Sequence, residues 1–256
     1  MVSKPSPQAF NLAGRVAVVT GATGGLGNSV ARGLADHGAS VVIVGRSITQ
    51  CRQIQREIEQ SGGRAIAVAA DITSPEDRRH IVATSVAAFG SLDILINNAG
   101  VARRSPASEI TEELYDQVHD VNTKSAFFLC QDAYPHLRRH GRGSIVNIVS
   151  IGLWNSGVGS LLYRSSKAAM QATTMVLAKE WASAGVRVNS IAPGAMEVGM
   201  GAAISFEHTQ QHLDRTPMRR LGRGDEVVSA VVYLASDSSS FTTGSTLRVD
   251  GGAISI

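Results

Sequence analysis

The chain is poor in cysteine and has no long apolar run, and each shortage excludes a class of protein. Only two cysteines occur in 256 residues, Cys51 and Cys130, and neither belongs to a CxxC motif. Both fall in predicted helices, so they are expected to be reduced structural thiols in a reducing compartment. No apolar run approaches the ~18 residues of a membrane span, and the N-terminal sequence MVSKPSPQAF has no apolar segment typical of a signal peptide. We therefore expect a soluble, cytoplasmic protein with no membrane partner.

Motifs that define several common enzyme classes are also missing. The P-loop pattern GxxxxGK[ST] is absent, and no GxSxG elbow surrounds Ser150, which argues against a hydrolase nucleophile. Two HxxxH pairs, His136/His140 and His208/His212, have the spacing of zinc ligands on a helix, but neither includes the glutamate of HExxH. A structural or solvent-exposed role is favoured for these histidines, and no metal is expected.

The charge balance of the chain is mild. The 24 basic and 21 acidic residues give a net charge of +3, and the basic residues are scattered along the sequence. Nucleic-acid binding usually needs a clustered basic face, so we expect no nucleic-acid partner. An anionic small ligand explains the positive balance equally well.

Short β-branched runs alternate with amphipathic helical segments along most of the chain. Buried parallel strands are predicted at Val16–Thr20, Val41–Gly45, Ala65–Ala70, Ile94–Asn97, Ile145–Val149, Val186–Ile191 and Leu247–Val249. Helices are predicted around Leu26, Val30 and Leu34, over Ile48–Gln60, from Ser74-Pro75 onward, over Thr111–Arg139 and over Leu162–Ser183. The alternation predicts an α/β fold with a right-handed, doubly wound parallel sheet and helices on both faces.

At this length the chain fits one large domain, and two segments fall outside the regular alternation. Residues 1–9 are rich in Pro and Ser and are expected to form a flexible N-terminal arm, which leaves 10–256 as a single catalytic domain. From about 195 to 224 the alternation stops and glycines recur. We interpret this segment as a lid that closes on a ligand, with a long surface connection as the alternative.

A glycine-rich turn follows the first predicted strand and opens the first predicted helix. It reads Thr20-Gly21-Ala22-Thr23-Gly24-Gly25-Leu26-Gly27, with the spacing TGxxxGxG. Glycines let the backbone turn tightly and approach a pyrophosphate, while the helix N-terminus supplies free N–H groups and positive potential. The turn therefore predicts a dinucleotide site at Gly21 and at Thr23–Gly27.

The residue that usually selects NAD is missing from the second strand. NAD enzymes usually carry an acid there to hold the ribose hydroxyls, whereas this chain has Gly45, followed by Arg46 and Ser47. A 2′-phosphate meets no repulsion from such a sequence, and Arg46 is able to stack on the adenine and pair with the phosphate. NADP(H) is therefore predicted as the preferred cofactor, with NAD(H) as the alternative.

Tyr163 and Lys167 are spaced i and i+4, which places them one above the other on one helix face. A free phenol near pKa 10 is a poor base at neutral pH, and a nearby ammonium favours the phenolate. Ser150, at the end of the run Ile145–Val149, is placed to hold a substrate oxygen. On its own the pair is more often a packing tyrosine with a solvated lysine, so its meaning depends on the rest of the chain.

Taken together, the motifs resemble those of the short-chain dehydrogenase/reductase family over almost the whole chain, from Leu12 to Gly252. The matching pieces are TGATGGLG at 20–27, Asp71-Ile72, Asn97-Asn98-Ala99-Gly100, Asn122, Ser150, Tyr163, Lys167, Pro193-Gly194 and Val249-Asp250-Gly251-Gly252. Each piece is modest, but their order and spacing together make chance agreement very small. The resemblance implies a Rossmann-like sheet of seven parallel strands and an NAD(P)-dependent oxidoreductase.

The resemblance also implies a role for each matched residue. Ser150 would hold the substrate oxygen, and Tyr163 would exchange a proton with it. Lys167 would hold the nicotinamide ribose and lower the tyrosine pKa, while Asn122 would position a water that relays protons. The cofactor, which supplies the hydride, would place its adenine against Asp71 and Ile72 and its adenosine ribose against Asn98. It would further contact Ala99, Gly100, Pro193, Gly194 and Met196.

One departure from the family pattern lies in the stretch Pro193–Val198. The family usually reads PGxIxT here, and Val198 replaces the threonine that is expected to contact the carboxamide or diphosphate of the cofactor. Met196 still offers its backbone to the nicotinamide. By analogy with the family, helices Thr111–Arg139 and Leu162–Ser183 are expected to join copies of the chain into a homotetramer or homodimer.

The sequence indicates the substrate less clearly. Arg103 and Arg104 follow the Asn97–Gly100 motif and, with residues 10–15, resemble the family branch that oxidises gluconate-type sugar acids. Two arginines at the carboxyl edge of the sheet are able to bind a carboxylate bidentately; the alternative is that both are solvated surface charges. We expect a small-molecule substrate, namely a sugar acid, polyol or similar secondary alcohol, bound by Arg103, Arg104, Ser150 and Tyr163.

Two other functions compete with this interpretation. One is a broad carbonyl or 3-oxoacyl reductase with the same mechanism. The other belongs to a different class, a dinucleotide sensor that signals by binding alone. A sensor would typically have lost the tyrosine or the lysine, and both are present here.

Overall fold

The fold is built on one parallel sheet. The computed structural model describes residues 10–155, 157–199 and 206–254, with backbone only for 206–209. Its strands are β1 (Val16–Thr20), β2 (Ser40–Gly45), β3 (Arg64–Ala69), β4 (Ile94–Asn97), β5 (Gly143–Ile148), β6 (Val186–Pro193) and β7 (Thr246–Val249). They pair in parallel in the order β3-β2-β1-β4-β5-β6-β7. The predicted doubly wound sheet of seven strands is confirmed.

Helices cover both faces of the sheet, which explains why the strands are apolar on both sides. They are α1 (Gly25–Asp36), α2 (Ile48–Gln60), α3 (Pro75–Phe89), α4 (Glu112–His119), α5 (Ser125–Leu137), α6 (Leu161–Trp181), α7 (Phe206–Arg215) and α8 (Gly224–Ala235). Alternate residues of β1 show the two layers. Ala17 and Val19 pack with α1, α2 and α8, whereas Val16 and Val18 pack with α3, α5 and α6.

The long helix predicted at Thr111–Arg139 is confirmed, and it contains a π-helical turn that was not predicted. Helix α4 ends at His119, the π-helical turn covers Asp120–Lys124, and α5 follows without a gap from Ser125. The apolar pattern continues through this turn, so periodicity alone does not reveal it. The extra residue in the turn directs the side chain of Asn122 at α6 and at the loop after β4.

Other boundaries differ by a residue or two. Strands β3 and β5 begin before their first apolar residue, at Arg64 and Gly143, and β6 runs on to Pro193. Strand pairing uses the backbone, so polar residues at the ends of a strand join the ladder although the hydrophobic pattern omits them.

The predicted lid at 195–224 is more regular than expected, since it contains α7. The sequence FEHTQQHLDR is mostly polar, and the flanking glycines hid this helix from a pattern search. Residues 200–205 of the segment and the predicted arm 1–9 lie outside the described residues. Closure of this segment on a ligand stays a prediction.

None of the described helices is long and apolar enough to cross a bilayer. Within the same part of the chain, no three His, Cys, Asp or Glu side chains are grouped so as to hold a metal ion. Of the HxxxH histidines, His208 lies where only the backbone is described.

A row of buried polar side chains joins the middle of the sheet to α6. The amide of Asn97 donates to Asn147 Oδ1 at 2.9 Å and to Cys130 Sγ at 3.1 Å. Asn147 donates in turn to Thr174 Oγ1, and Ser190 donates to the same oxygen, each at 2.9 Å. These bonds fix the position of α6 relative to β4, β5 and β6, and α6 carries the tyrosine and lysine singled out above.

We expect Asn147→Ala to lower the free energy of unfolding by about 2–3 kcal/mol, because it leaves buried polar partners unsatisfied. Asn147 is fully buried, so no water replaces its amide. Urea denaturation of the variant and the wild type measures the difference. The matched control is Gln53→Ala on the exposed face of α2, which should change stability by less than about 0.5 kcal/mol. Equal, small effects of the two substitutions would contradict the role of the buried row.

Candidate active site

The turn after β1 and the turn after β4 are bonded together at the carboxyl edge of the sheet. The Thr20 hydroxyl accepts hydrogen bonds from the backbone N–H groups of Asn98 and Ala99, each at 3.1 Å. The side-chain amide of Asn98 donates to Thr20 O at 3.0 Å and to Gly21 O at 3.1 Å. Because β1 and β4 are the neighbours at which the strand order reverses, this joint lies at the crevice where doubly wound folds bind ligands.

The structure therefore gives Asn98 a definite task, which is to brace the glycine-rich turn. Its predicted contact with the adenosine ribose stays a prediction.

The start of α1 is covered by the segment that follows β6. A Cβ on Gly25 would lie 2.3 Å from the backbone nitrogen of Gly199 and 3.0 Å from Val198 Cβ. Only glycine at position 25 permits this approach. Val198, the residue that departs from the family pattern, thus sits directly against the turn predicted to bind the pyrophosphate.

The end of β2 has no room for the acid that NAD enzymes usually carry. A Cβ on Gly45 would lie 2.7 Å from Thr23 Cγ2 and 3.1 Å from Cys51 Sγ, so a side chain would have to displace Thr23. The next residue, Arg46, is exposed, and the Ser47 hydroxyl caps the N-terminus of α2. At the end of β2 the sheet edge therefore carries a positive charge from Arg46, and position 45 provides no carboxylate.

Asp71 and Ile72, which follow β3, present different groups to this edge. Hydrogen bonds from Thr73 to Asp71 Oδ1, at 2.8 and 2.9 Å, hold the pKa of the Asp71 carboxyl below its usual range, and the charge of Arg46 acts in the same direction. The Ile72 side chain is buried in the core under α3. Its carbonyl accepts a hydrogen bond from Arg78 at 2.8 Å. At the predicted adenine site, Asp71 thus offers a carboxylate, whereas the contact of Ile72 with the adenine stays a prediction.

The π-helical turn places Asn122 between two other parts of the site. Asn122 Oδ1 accepts from Val101 N at 2.8 Å, and its Nδ2 donates to Val101 O and to Ser166 Oγ, each at 2.9 Å. Gly100 lies against the same group, since a Cβ there would be 3.3 Å from Asn122 Oδ1 and 3.4 Å from Lys167 Nζ. Asn122, Gly100 and Lys167, which are far apart in sequence, are therefore neighbours.

Lys167 is a buried cation. Its side chain is 3% exposed, its Nζ donates to Ile148 O at 2.7 Å, and burial lowers its pKa to about 8. The same Nζ lies 5.8 Å from the centroid of the Tyr163 ring. The predicted placement of the two side chains on one helix face is confirmed.

The tyrosine does not behave as the local spacing predicts. Burial raises the pKa of Tyr163 above its ordinary value, and a hydrogen bond with Ser150 and the charge of Arg164 oppose that rise without cancelling it. The net pKa of Tyr163 in the protein alone therefore lies above its ordinary value, and the expected lowering by Lys167 stays a prediction. Ser150 Oγ also accepts from Gly152 N at 3.0 Å.

The chain after β6 is held by β7 and by Gly222. Gly194 N donates to Val249 O at 2.9 Å, next to Pro193 at the end of the strand. Met196 pairs with Gly222 in an isolated parallel bridge, in which Glu197 N donates to Gly222 O and Gly222 N donates to Ala195 O, each at 2.9 Å. The Met196 side chain is buried. The contact of its backbone with the nicotinamide stays a prediction.

Arg103 and Arg104 differ in what they reach. Arg103 Nη1 donates to the carbonyl of Ala102 at 3.1 Å on its own exposed loop. Arg104 is also exposed, but its charge acts on Arg164, whose pKa is lowered first by burial and then by Arg104. Arg164 is the residue that the sequence interpretation missed. The available signal was an arginine directly after Tyr163, in the first turn of α6.

Comparison with known proteins agrees with this geometry. A family model described as enoyl-(acyl carrier protein) reductase matches residues 21–253. The chain is 40% identical over 249 residues to 4-formylbenzenesulfonate dehydrogenase of Comamonas testosteroni, covering 95% of this chain and 99% of that protein. It is 37% identical over 248 residues to gluconate 5-dehydrogenase of Gluconobacter oxydans, covering 96% and 97%. This chain belongs to the short-chain dehydrogenase/reductase family.

Solved structures of short-chain dehydrogenases/reductases overlay on nearly the whole chain. A 7α-hydroxysteroid dehydrogenase, crystallised with NADH and 7-oxoglycochenodeoxycholic acid, is 33% identical with a TM-score of 0.93 and covers 96% of this chain and 97% of its own. A Beutenbergia cavernae structure assigned as an NAD(P)-dependent gluconate 5-dehydrogenase, with NADP at low occupancy, is 37% identical with a TM-score of 0.90 and covers 96% and 98%. The resemblance drawn from the motifs is confirmed.

The buried lysine of this short-chain dehydrogenase/reductase should make its stability depend on pH. The pKa of Lys167 is about 8 in the folded chain, against 10.5 for an ordinary lysine. Between these values the unfolded chain binds a proton that the folded chain does not, so the free energy of unfolding rises with pH. From about pH 7.5 to about pH 10, wild type should gain up to roughly 3 kcal/mol relative to Lys167→Met.

Urea unfolding of both proteins at the two pH values measures this gain. Lys124→Met is the matched control, because that lysine is 65% exposed and paired only at the surface. A difference between wild type and Lys167→Met that stays constant with pH would contradict the lowered pKa.

Proposed function

We propose that the protein interconverts an alcohol and a carbonyl compound by hydride transfer with a nicotinamide dinucleotide. The observation that carries this proposal is the convergence of Asn122, Ser150, Tyr163 and Lys167 at the carboxyl edge of the sheet, beside the glycine-rich turn. The four side chains come from three places, namely the π-helical turn, the turn after β5 and α6. Their meeting at the crevice supports a reaction site more than a packing role.

The residues at this edge fit such a cofactor. The glycine-rich turn offers bare backbone at the N-terminus of α1, which is suited to a pyrophosphate. Gly45 has no side chain and Arg46 is exposed, so both suit the adenosine end of the cofactor. The backbone of Met196 suits the carboxamide of the nicotinamide. When bound, the cofactor supplies or accepts the hydride.

The protein side of the reaction is a proton transfer at the Tyr163 hydroxyl. Burial raises the pKa of Tyr163, so the phenol is protonated at neutral pH and ready to act as the acid in carbonyl reduction. In the opposite direction it accepts the alcohol proton. Ser150, whose oxygen is oriented by Gly152 N, shares the substrate oxygen with the tyrosine.

Lys167 has two tasks in this proposal. Its ammonium is held by Ile148 O and stands beside the Tyr163 ring, from where it binds the ribose hydroxyls of the cofactor. A polar ligand that accepts hydrogen bonds from Nζ favours the charged form, and the charged form in turn favours the phenolate. Asn122 supports the same region through Val101 and Ser166, and its role in relaying protons through water is part of this proposal.

Tyr163→Phe should lower kcat about 10²–10⁴-fold, because the variant keeps the ring and loses only the exchangeable proton. Dinucleotide affinity, measured by the quenching of protein fluorescence, should be unchanged. Tyr233→Phe on α8 is the matched control, since that hydroxyl contacts Thr242 far from the site. Initial rates at 340 nm with a ketone panel give the comparison. Full activity of Tyr163→Phe would contradict the mechanism, and tight cofactor binding with no turnover by wild type would favour the sensor.

We propose NADP(H) as the preferred cofactor. The argument is that Gly45 excludes a carboxylate at the ribose position while Arg46 and Asp71 stand at the adenosine end, with Arg46 the exposed cation. A guanidinium pairs with a phosphate more strongly than with neutral hydroxyls.

Arg46→Ala should therefore raise KM for NADPH about 10–100-fold, the loss of one charged hydrogen-bonded contact, and leave KM for NADH nearly unchanged. Steady-state kinetics with both cofactors tests this expectation. The control is Arg52→Ala, another exposed arginine near the start of α2. Equal kcat/KM of wild type with NADPH and NADH would remove the proposed preference.

The substrate we propose is a small organic acid. Arg104 and Arg164 place positive charge beside the reacting residues. The relatives described above act, by their names, on a sulfonated aromatic aldehyde and on gluconate, and both are anions. A sugar acid belongs to this class, and reduction of 3-oxoacyl thioesters is the runner-up, in keeping with the acyl-carrier description of the matching family model.

We also propose that the protein is a homodimer or homotetramer. Large apolar or aromatic side chains are exposed on α4, α5 and α6, namely Tyr115, Phe128, Met175 and Val176. Contact with a second copy would bury them.

We propose a reducing compartment such as the cytoplasm. The two cysteines are buried and form no disulfide, which fits such a compartment. Burial also raises the pKa of the Cys130 thiol to about 12 and keeps this thiol unreactive.

A further inference from the structure

A cavity of about 560 Å³ lies beside Ser150, between the loop after β4 and the start of α6. Its volume is in the range of small-molecule sites. The described lining comes from three places: Ser105 and Ala107; Gly152, Leu153, Asn155 and Gly157–Gly159; and the first turns of α6. The first two parts are joined by a hydrogen bond from Ser105 N to Gly159 O at 3.1 Å, so the cavity has a defined wall.

The walls of this cavity are largely apolar. Leu153, Val158, Leu161 and Ala168 line it. Val158 and Leu161 are 96% and 48% exposed, so they present aliphatic surface at the mouth that nothing in the described chain covers. A ligand with an apolar body would remove this surface from water, which is favourable. A polyhydroxylated ligand would lose hydrogen bonds to water against the same walls.

Arg164 is the one charged side chain among the described lining residues. Its Nε donates to Ser160 Oγ at 2.5 Å, and its Nη1 donates to Gly152 O at 2.8 Å and to the two oxygens of Asn155. Its Nη2 has no hydrogen bond to any described residue and lies 3.1 Å from where a Cβ of Gly157 would be. One edge of the guanidinium thus holds the loop, and the other is left open by a glycine.

A second cation acts on Arg164. Arg104 directly precedes the cavity-lining Ser105, and its charge acts unfavourably on Arg164. The charged groups nearest Tyr163 are Arg164 and Lys167, both from α6. His119 of α4 contacts Ser165, another lining residue, at 3.0 Å. No carboxylate forms an ion pair with Arg104 or Arg164 among the described residues, so an anion here relieves repulsion.

The cationic edge is close to the reacting groups. A Cβ on Gly152 would lie 3.3 Å from Ser150 Oγ and 3.6 Å from Arg164 Nη1, so a single glycine separates the hydroxyl from the guanidinium. A ligand whose acid group meets Arg164 is therefore able to present a carbonyl at Ser150 and Tyr163 a few bonds away.

We propose that this cavity is the substrate pocket and that it takes organic acids with an apolar body, such as aryl or branched alkyl carboxylates and sulfonates. Arg164 Nη2, with Arg104, binds the anionic group, and the carbonyl or alcohol lies at Ser150 and Tyr163. This inference rests on the proposed function and narrows its substrate class, placing apolar acids ahead of sugar acids. In this proposal Arg164, and not Arg103, makes the main contact with the acid group of the substrate.

The test compares two substrates of the same shape and different charge, 4-acetylbenzoate and 4-acetylbenzamide, together with 5-keto-D-gluconate, all with NADPH. Wild type should reduce 4-acetylbenzoate with at least tenfold higher kcat/KM than the other two. Arg164→Gln should abolish the preference for the acid, because it raises KM for 4-acetylbenzoate about tenfold more than KM for 4-acetylbenzamide. Arg164→Lys should keep part of the preference, since it retains the charge and loses the planar fork. Arg139→Gln, at an exposed arginine beyond α5, is the control.

A second variant covers the case in which loss of Arg164 unfolds the loop. Val158 is almost fully exposed, so Val158→Asp leaves the fold intact and places an anion at the mouth. It should lower kcat/KM for the acid about tenfold and that for the amide much less.

Three outcomes would overturn the inference. An equal loss of kcat for both aryl substrates in Arg164→Gln would make Arg164 a clamp for the loop and nothing more. Faster reduction of 5-keto-D-gluconate than of either aryl ketone would overturn the apolar class but leave the proposed function standing. No turnover of any ketone by wild type, with NADPH bound, would remove both.

Discussion

The hydrogen bonds between Asn98 and the Thr20–Gly21 backbone connect the two halves of the site. They tie the carboxyl ends of β1 and β4 together where the strand order reverses. The glycine-rich turn depends on them for its shape, and the loop after Gly100 leaves the sheet from the same joint, toward Asn122 and Lys167. The Thr20 hydroxyl strengthens the same joint by accepting from the backbone N–H groups of Asn98 and Ala99. If this joint moved, the predicted cofactor site and the candidate catalytic residues would lose their common frame.

Burial dominates the electrostatics of the reacting residues. Taking a lysine and a tyrosine out of water disfavours the charged form of each, so the pKa of Lys167 falls and that of Tyr163 rises. The fold thereby keeps the tyrosine proton in place and leaves the lysine near its midpoint in mildly alkaline solution. A polar ligand that accepts hydrogen bonds from Lys167 Nζ is then able to shift the pKa of Lys167 and that of Tyr163 together. Arg164 is less buried and keeps its charge next to Tyr163. This charge lowers the pKa of Tyr163, which is the effect expected of Lys167.

Residues whose role depends on local spacing were predicted well from the sequence. The glycine-rich turn, the i, i+4 pair Tyr163 and Lys167, and the strands with continuous apolar runs all follow from periodicity and backbone geometry. The prediction failed where a long-range contact decides the outcome. The π-helical turn at Asn122 exists because its amide is satisfied by Val101 and Ser166, and no pattern within residues 111–139 records those partners. The polar helix α7 was missed because it has few apolar residues to mark its period.

The sequence by itself determined the fold class, the family, the glycine-rich turn and the candidate catalytic residues, since each depends on residue type and local order along the chain. Only the tertiary structure decided which charge acts on which group. It separated Arg103, which stays on its own loop, from Arg104, whose charge acts on Arg164. It also formed a largely apolar cavity, open to solvent, beside Gly152. The physical reason is that desolvation and Coulomb interactions depend on distance and burial in three dimensions, and the linear order of residues specifies neither.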